Sequence, residues 1–344
     1  MHILIATDAW YPQINGVVRT LSRVRDELQA LGHRITVIAP NDFVSVACPT
    51  YPEIRLALMP GRRIAKLTRQ AAPQAIHIAT EGPVGQAARR FCMKRGLPFT
   101  TSFHTRFPEY INARFGIPPN WLYALLRRFH APSRAVMVAT GSLRRELEGR
   151  GFRHLVPWSR GVDTELFRPR AERLYELEAP IFLYVGRVAV EKNIEAFLKL
   201  KLRGSKVVVG DGPQLASLRQ AYPAVHFTGA KTGEALARHY AAADVFVFPS
   251  RTDTFGLVLL EALASGLPVA AYPVTGPLDL VNGAAVGVLD QDLARAAERA
   301  LAVSRDDCRA FALSFTWRRC AEQFLDNLAP YPCSPEKLTA RGRR

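Results

Sequence analysis

Residues 250–271, SRTDTFGLVLLEALASGLPVAA, carry two carboxylates, Asp253 and Glu261, eight positions apart. Between them, Gly256 divides a short polar stretch from an unbroken apolar one, the mark of a helix start. A helix start offers backbone N–H groups with no intrahelical partner and the positive end of the helix dipole, and both favour an anion. The amides near 254–257 are then available to a phosphate, and the two carboxylates can accept hydrogen bonds from hydroxyl groups. The competing reading is an N-capping Asp253 and a solvated Glu261, and the apolar neighbours of Glu261 weigh against solvation. A second constellation, GRVAVEKN (186–193), places Arg187 and Lys192 just after an apolar run. Two cations there suit a phosphate or diphosphate, or else they are surface cations with Glu191 as a local partner.

Weaker signals accompany these. In YPQINGV, Gly16 follows Asn15 at the entry to a helical pattern, where a glycine lets backbone amides approach an anion. VVVGDGP (207–213) resembles a nucleotide-binding turn but has Leu215 where a G-x-G-x-x-G fingerprint needs its third glycine. The alternative there is a tight turn with Asp211 as a helix N-cap. His104 stands in SFHT (102–105), at the end of an apolar run. The one D-x-D string, Asp290 and Asp292, precedes a helical pattern and reads as an N-cap with a first-turn acid rather than a metal pair. No G-x-S-x-G nucleophile elbow occurs. A glycosidase carboxylate pair would leave the cationic motifs without a purpose.

The elements that position these residues repeat along the chain. Apolar runs at 2–7, 34–40, 75–80, 98–103 and 135–140 read as strands, with helical patterns at 17–31, 83–95 and 142–150. Gly32 is a helix stop. Residues 155–170 break the rhythm and read as a linker. A second series follows at 181–186, 205–210, 224–229, 244–249 and 267–272. Strands alternating with helices give parallel βαβ units. The expected fold is α/β, two doubly wound Rossmann-like domains facing across a cleft. Ligands in such sheets bind outside the carboxyl ends of the strands, where the motifs above fall. The expected boundaries are 1–160, 161–313, a terminal helix 314–330 that packs back toward the first domain, and a basic tail 331–344.

The chain has 344 residues, 48% hydrophobic and 22% charged, an ordinary globular composition. Its net charge of +16 is unevenly placed: 25 basic and 11 acidic residues lie in 1–170, and 21 and 19 in the remainder. The first half therefore suits an anionic partner. Residues 107–130 hold six aromatics interleaved with arginines, among them Tyr110, Arg114, Trp121, Arg127 and Arg128. Basic clusters recur at 62–69, 88–95 and 143–147. Aromatic and basic residues on one amphipathic surface suit an anionic membrane interface. The five cysteines lack metal or disulfide spacing and read as reduced thiols. No apolar stretch is long enough to span a bilayer. The N-terminal apolar run is too short for a signal peptide and reads as a first strand.

In their order and spacing these marks resemble the retaining GT-B glycosyltransferases of glycosyltransferase family 4. They are the NGV turn, SFHT, SRGVDTELF (159–167), GRVAVEKN, VVGDGP, FPSRTDTFGLVLLEALASGLPV and the terminal SFTW helix. Within that family the chain looks like diacylglycerol glycosyltransferases and GDP-mannose-dependent α-mannosyltransferases. It departs from the usual Glu-x7-Glu in having Asp253 at the first position.

The resemblance implies a UDP- or GDP-sugar as donor substrate, with no further cofactor and no metal. Gly16 would approach the donor, His104 would hydrogen-bond its sugar, and Arg187 and Lys192 would bind the diphosphate. Asp253, Phe255 and Gly256 would hold sugar hydroxyls, Leu257 and Val258 would offer amides to phosphate, and Glu261 would bind the ribose. The base would rest near Gly229, Ala230 and Lys231. The acceptor would be a membrane lipid, diacylglycerol or its glycoside, with a polyprenyl-linked or soluble glycan as the alternative. The enzyme would sit at the cytoplasmic face of the inner membrane. Readings from other classes are a nucleic-acid binder, for which no motif appears, and a non-catalytic membrane-binding module.

Overall fold

The computed structural model describes residues 1–332 apart from 14, 49–50, 172–173, 252 and 254, and the side chains of all these except 51–53, 110 and 113–115. The expected basic tail beyond residue 332, the side chains of Tyr110 and Arg114, and the amide of Thr254 thus lie outside the described residues.

The chain folds as two compact units, one holding Met1–Ser159 with the segment from Trp317 onward, the other Arg160–Thr316. The first runs β1 (His2–Ala6), α1 (Gly16–Ala30), β2 (Arg34–Ile38), β3 (Ser45–Cys48), β4 (Tyr51–Ala57), α2 (Gly61–Ala71), β5 (Ala75–Ile78), α3 (Pro83–Arg95), β6 (Thr100–Phe103), α4 (Phe107–Phe115), α5 (Pro119–His130), β7 (Val136–Val138), α6 (Gly141–Gly149) and β8 (Leu155–Pro157). The second runs β9 (Ile181–Val185), α7 (Ile194–Leu198), β10 (Ser205–Val209), α8 (Leu215–Ala221), β11 (His226–Gly229), α9 (Gly233–Ala241), β12 (Val245–Phe248), α10 (Leu257–Ala264), β13 (Val269–Ala271), α11 (Pro277–Val281), β14 (Gly287–Leu289), α12 (Leu293–Ala300) and α13 (Arg305–Ala312). A last helix, α14 (Trp317–Asp326), belongs to the first unit and packs on α1.

Among the described residues each unit carries one parallel sheet of six strands. The first is ordered β2-β1-β5-β6-β7-β8, the second β11-β10-β9-β12-β13-β14. The central strands are buried on both faces, and β1, β9 and β12 are apolar almost throughout for that reason. The second core joins Phe182, Val208, Val245 and Val247 of the sheet to Ile194, Phe197 and Ala296 of the flanking helices. The second-unit loops that carry expected donor motifs leave the carboxyl ends of neighbouring parallel strands β11, β10, β9 and β12.

Two features differ from the expected pattern. Residues 155–170 begin with β8, an edge strand of three residues that ends at Pro157, rather than being linker throughout. Proline is tolerated there because an edge strand needs donors on one side only. A β3–β4 hairpin and helix α2 fill the interval between the second and third expected strands.

Candidate active site

In the second unit, β9 delivers the loop that carries Arg187 and Lys192. Tyr184, buried at the end of β9, donates its hydroxyl hydrogen bond to the Arg187 carbonyl at 2.8 Å. The loop is joined to its neighbour after β10 by backbone bonds: Gly186 N to Val209 O at 3.0 Å, Val188 N to Asp211 O at 2.9 Å and Gln214 N to Val188 O at 3.1 Å. A Cβ on Gly210 would lie 1.8 Å from the Gly186 carbonyl oxygen, and one on Gly212 would lie 2.4 Å from that of Val188. This close approach accounts for both glycines of VVVGDGP. Asp211 does not cap a helix as one reading expected. Its carboxylate accepts from Gly212 N, and α8 starts only at Leu215, with Gln214 at its cap.

Arg187 is exposed at the surface. Lys192 reaches across to Asp253, Nζ to Oδ1, at 2.5 Å. Both side chains are largely shielded, 24% and 16% exposed. The other oxygen, Asp253 Oδ2, is buried with no hydrogen-bond partner among the described residues, and so is Ser250 Oγ. A buried acceptor without a donor costs about 1–3 kcal/mol, a cost that any hydrogen-bond donor reaching Asp253 Oδ2 would relieve. The reading of Asp253 as an N-cap is overturned: no described side chain caps α10. Gly256 holds φ at +82°, a left-handed turn that favours glycine. Leu257 and Val258 then open the helix with no acid in its first turn. Glu261, one turn on, is 3% exposed and accepts from the Tyr240 hydroxyl at 3.0 Å, so it is not a solvated surface carboxylate. Gly229 ends β11 and gives its carbonyl to Gly210 N, with Ala230 and Lys231 exposed beyond it. Asp292 caps α12 through Ala294 N and Arg295 N, as the N-cap reading of D-x-D expected, but the other acid is not in the first turn: Asp290 precedes the cap and pairs with Arg295 at 2.6 Å.

In the first unit, Gly16 is the exposed first residue of α1. The next two amides, Val17 and Val18, both donate to Asn15 Oδ1 at 3.0 Å, so this helix start is closed by its own cap. The start of α3 is closed too. Asp8, buried after β1, accepts from Val84 N at 2.8 Å, Gly85 N at 3.2 Å and Thr80 Oγ1 at 2.8 Å. Burial raises its pKa despite these bonds. The first-unit helices after β1 and β5 are therefore closed by side chains, whereas the start of α10 has no side-chain cap among the described residues.

His104 follows β6, half-buried, with Nε2 2.8 Å from Ser102 Oγ. Ser102 also meets His77 Nε2 at 3.1 Å, and His77 Nδ1 meets Thr100 Oγ1 at 2.9 Å. Sequence reasoning missed this chain because His77 sits in AIHIAT, indistinguishable from any buried strand. The C-terminal helix closes over it. Phe324 of α14 lies edge-on to His77 at 4.8 Å, and Trp158 lies between Phe324 at 5.1 Å and His104 at 5.5 Å. The Trp158 indole donates to the Cys320 carbonyl at 3.1 Å, which pins the ring to α14.

Two buried histidines make the fold acid-sensitive. Burial, with His130 nearby, pushes His77 down to about 3. Burial, with Lys231, His226 and Arg238, pushes His239 down to about 4. Unfolded, both take up a proton near pH 6.5. Between about pH 6.5 and 4 the unfolded chain binds more protons than the folded one, so stability falls as pH drops through that window. We expect Tm to decline steadily from pH 6.5 to 5, before most carboxylates titrate. A Tm that is flat over that interval would contradict the neutral state of both rings.

The aromatic segment divides. Tyr123 and Phe129 are core, Tyr123 donating to Glu109 at 2.6 Å under the Arg150 guanidinium. Trp121 is 77% and Leu125 65% exposed, one turn apart on α5, with Arg127 and Arg128 exposed on the following turn.

Comparisons with known proteins bear on the family and the fold. Residues 14–166 match the family model described as Glycosyltransferase Family 4, and residues 179–306 match Glycosyl transferases group 1. The chain is 31% identical to a GDP-mannose-dependent alpha-mannosyltransferase of Mycobacterium tuberculosis, over 84% of this chain and 83% of that protein. It is 28% identical to an alpha-monoglucosyldiacylglycerol synthase of Streptococcus pneumoniae, over 89% of this chain and 79% of that one. A sucrose-phosphate synthase from Thermosynechococcus elongatus shares the fold with a TM-score of 0.77 at 22% identity, covering 94% of this chain and 97% of that one. Two Rossmann-like sheets, an uncapped helix beside a lysine–aspartate pair, and family matches to both halves converge: the chain belongs to glycosyltransferase family 4 and is a glycosyltransferase of GT-B fold.

Proposed function

We propose that this enzyme transfers a hexosyl group from a nucleotide diphosphate sugar to a membrane lipid hydroxyl, with retention at the anomeric carbon and without a metal. The observation that carries the reading is the Lys192–Asp253 pair beside the start of α10, with neither a partner for Asp253 Oδ2 nor a side-chain cap on that helix among the described residues. In transfer, the bond from the anomeric carbon to the diphosphate oxygen breaks and a bond to the acceptor oxygen forms. The acceptor's proton leaves with the phosphate, and negative charge builds on the departing diphosphate. Lys192, Arg187 and the amides of Leu257 and Val258 supply fixed positive charge for it. Once Lys192 turns to the diphosphate, Asp253 is free to accept donor-sugar hydroxyls. Phe255 and Gly256 offer backbone to the same sugar. His104, and Gly16 at the start of α1, are the first-unit residues we propose for the donor. Glu261, oriented by Tyr240, takes the ribose, and Gly229, Ala230 and Lys231 receive the base.

The lipid acceptor rests on two supports. One relative named above is a glucosyldiacylglycerol synthase. The other is the exposed Trp121 and Leu125 with Arg127 and Arg128, joined on a separate face by Met59, 95% exposed, next to the exposed Arg62 and Arg63. Apolar side chains rimmed by cations suit an anionic bilayer. No described helix is long and apolar enough to cross a membrane, and we place the enzyme on the cytoplasmic face of the inner membrane. At about 1 kcal/mol per cation near an anionic surface, replacing Arg127 and Arg128 together by glutamine should weaken binding to anionic liposomes by roughly tenfold or more. Slow donor hydrolysis in the absence of acceptor should stay normal. Liposome affinity that does not change would remove this segment from the interface.

The decisive assay offers UDP- and GDP-hexoses with diacylglycerol in anionic liposomes and reads the lipids by mass spectrometry. A glycosylated diacylglycerol is the expected product. Donor hydrolysis with no lipid product would overturn the acceptor and keep the donor chemistry. No consumption of any donor would overturn both.

A further inference from the structure

We infer that Arg251 is a third cation for the donor's diphosphate, held on the flank of the α10 start opposite Lys192. It rests on the reading that the diphosphate lies at that helix start. Arg251 stands in the loop between β12 and α10, two residues before Asp253. Its guanidinium carbon lies over the Tyr272 ring, 3.6 Å from the centroid. The stack occupies a face of the guanidinium and leaves the five N–H groups at its edge to other partners. The side chain is exposed, and among the described residues it has no hydrogen-bond or ion-pair partner. Asp253 is the nearest acid in sequence, and its Oδ2 is itself without a described partner, yet the two do not pair. Lys192 takes that carboxylate instead.

The surroundings hold the arginine in that place. Tyr272 follows β13, which pairs with β12, and its ring belongs to the second core with Val247 and Ala270. The platform under Arg251 is therefore fixed by packing. The loop after β13 is also seated against the entry to α10: a Cβ on Gly276 would lie 3.1 Å from the Phe255 carbonyl oxygen. In the sheet, β12 stands between β9 and β13. Lys192 reaches the loop after β12 from the β9 side, and Arg251 is held to the β13 side. Positive charge thus stands on both flanks of a helix start whose own amides favour an anion. A diphosphate spreads its charge over two phosphoryl groups, and a planar fork on one side with a point charge on the other suits it. The same loop leaves Ser250 Oγ and Asp253 Oδ2 buried without described partners. Hydroxyl, guanidinium and carboxylate are all left unsatisfied by the described fold, as in a loop built for a ligand.

The test measures binding to the full-length enzyme, by calorimetry for UDP and GDP and by competition for uridine and guanosine. Wild type should hold its diphosphate far more tightly than the parent nucleoside. A hydrogen bond to a charged group is worth about 10–100-fold in affinity. Arg251→Gln, a change at an exposed side chain, should lower diphosphate affinity by that factor and leave nucleoside affinity little changed. Arg251→Lys keeps the charge without the fork and should restore part of the difference. Turnover should fall in Arg251→Gln as well, because charge grows on the diphosphate as the glycosyl bond breaks. A wild-type enzyme that holds the diphosphate no more tightly than the nucleoside would overturn the diphosphate site and this inference together. A wild-type difference that Lys192→Ala narrows and Arg251→Gln does not would overturn the inference alone. It would also fall if Arg251→Gln spared UDP and GDP but weakened UDP-glucuronate relative to UDP-glucose, which would assign Arg251 to an acidic sugar.

Discussion

Replacing Lys192 by alanine is expected to lower sugar transfer about 10²–10³-fold, the range for removing one preorganised charge stabiliser of a developing anion. The fall should be in kcat more than in KM. The charge Lys192 is placed to meet grows as the glycosyl–phosphate bond breaks, so its contribution is larger in the transition state than in the ground state. The variant also removes the partner of Asp253. Breaking a fully buried ion pair costs several kcal/mol, but both side chains here retain some solvent contact, 24% and 16%, and the stability cost should be well below that. Transfer assays and thermal melts on one preparation separate the two effects. Near-normal turnover would remove the diphosphate role. A collapse in Tm that parallels the loss of activity would make Lys192 a structural residue. Lys192→Arg should recover part of the rate, because charge is kept while the shape of the pair with Asp253 is not.

The parts of this enzyme visible in its sequence are those whose cause is local. The central strands announce themselves because parallel strands buried on both faces are apolar throughout, as in HILIA and VFVF. The start of α10 is visible as Gly256 dividing polar from apolar residues. Pairings over distance are not visible. Lys192 and Asp253 are 61 residues apart, and nothing in either motif says that one neutralises the other. His77 and Ser102 lie in two runs that read simply as strands, and their contact exists only because β5 pairs with β6. Two helix starts of the first unit, those of α1 and α3, are closed by side chains, as that of α10 is not among the described residues. Asn15 caps α1 from the adjacent position and is legible, whereas Asp8 closes α3 from 76 residues away and is not. Trp158 falls in a stretch that reads as a linker, yet it is fully buried between His104 and the last helix.

The same limit left VVVGDGP open between a nucleotide-binding turn and a tight turn, and it leads to the second large expected effect. A glycine pair after a parallel strand suggests backbone amides wrapped around a phosphate. The structure gives these glycines another requirement. A Cβ at Gly210 would sit 1.8 Å from the Gly186 carbonyl oxygen, a separation that backbone atoms cannot tolerate. Gly210→Ala must therefore push the loop after β9 away from the loop after β10, straining the bonds from Gly186 N to Val209 O and from Val188 N to Asp211 O. Arg187 and Lys192 ride on the displaced segment. A misplacement of about 1 Å at a reacting centre can cost about 100-fold in rate, and both cations proposed for the diphosphate move together here. We expect Gly210→Ala to lose at least that much transfer activity, with weakened donor binding measured calorimetrically. A contact between two surface-facing loops should let the sheet survive, with Tm lowered by several degrees and the far-ultraviolet circular dichroism unchanged. Leu215→Gly restores the third glycine of a dinucleotide fingerprint and should not improve donor binding, because the loop's work is to seat its neighbour. Wild-type turnover in Gly210→Ala would show that the two loops do not pack as closely as the geometry requires. Improved donor affinity in Leu215→Gly would return the turn to a direct role on the phosphate.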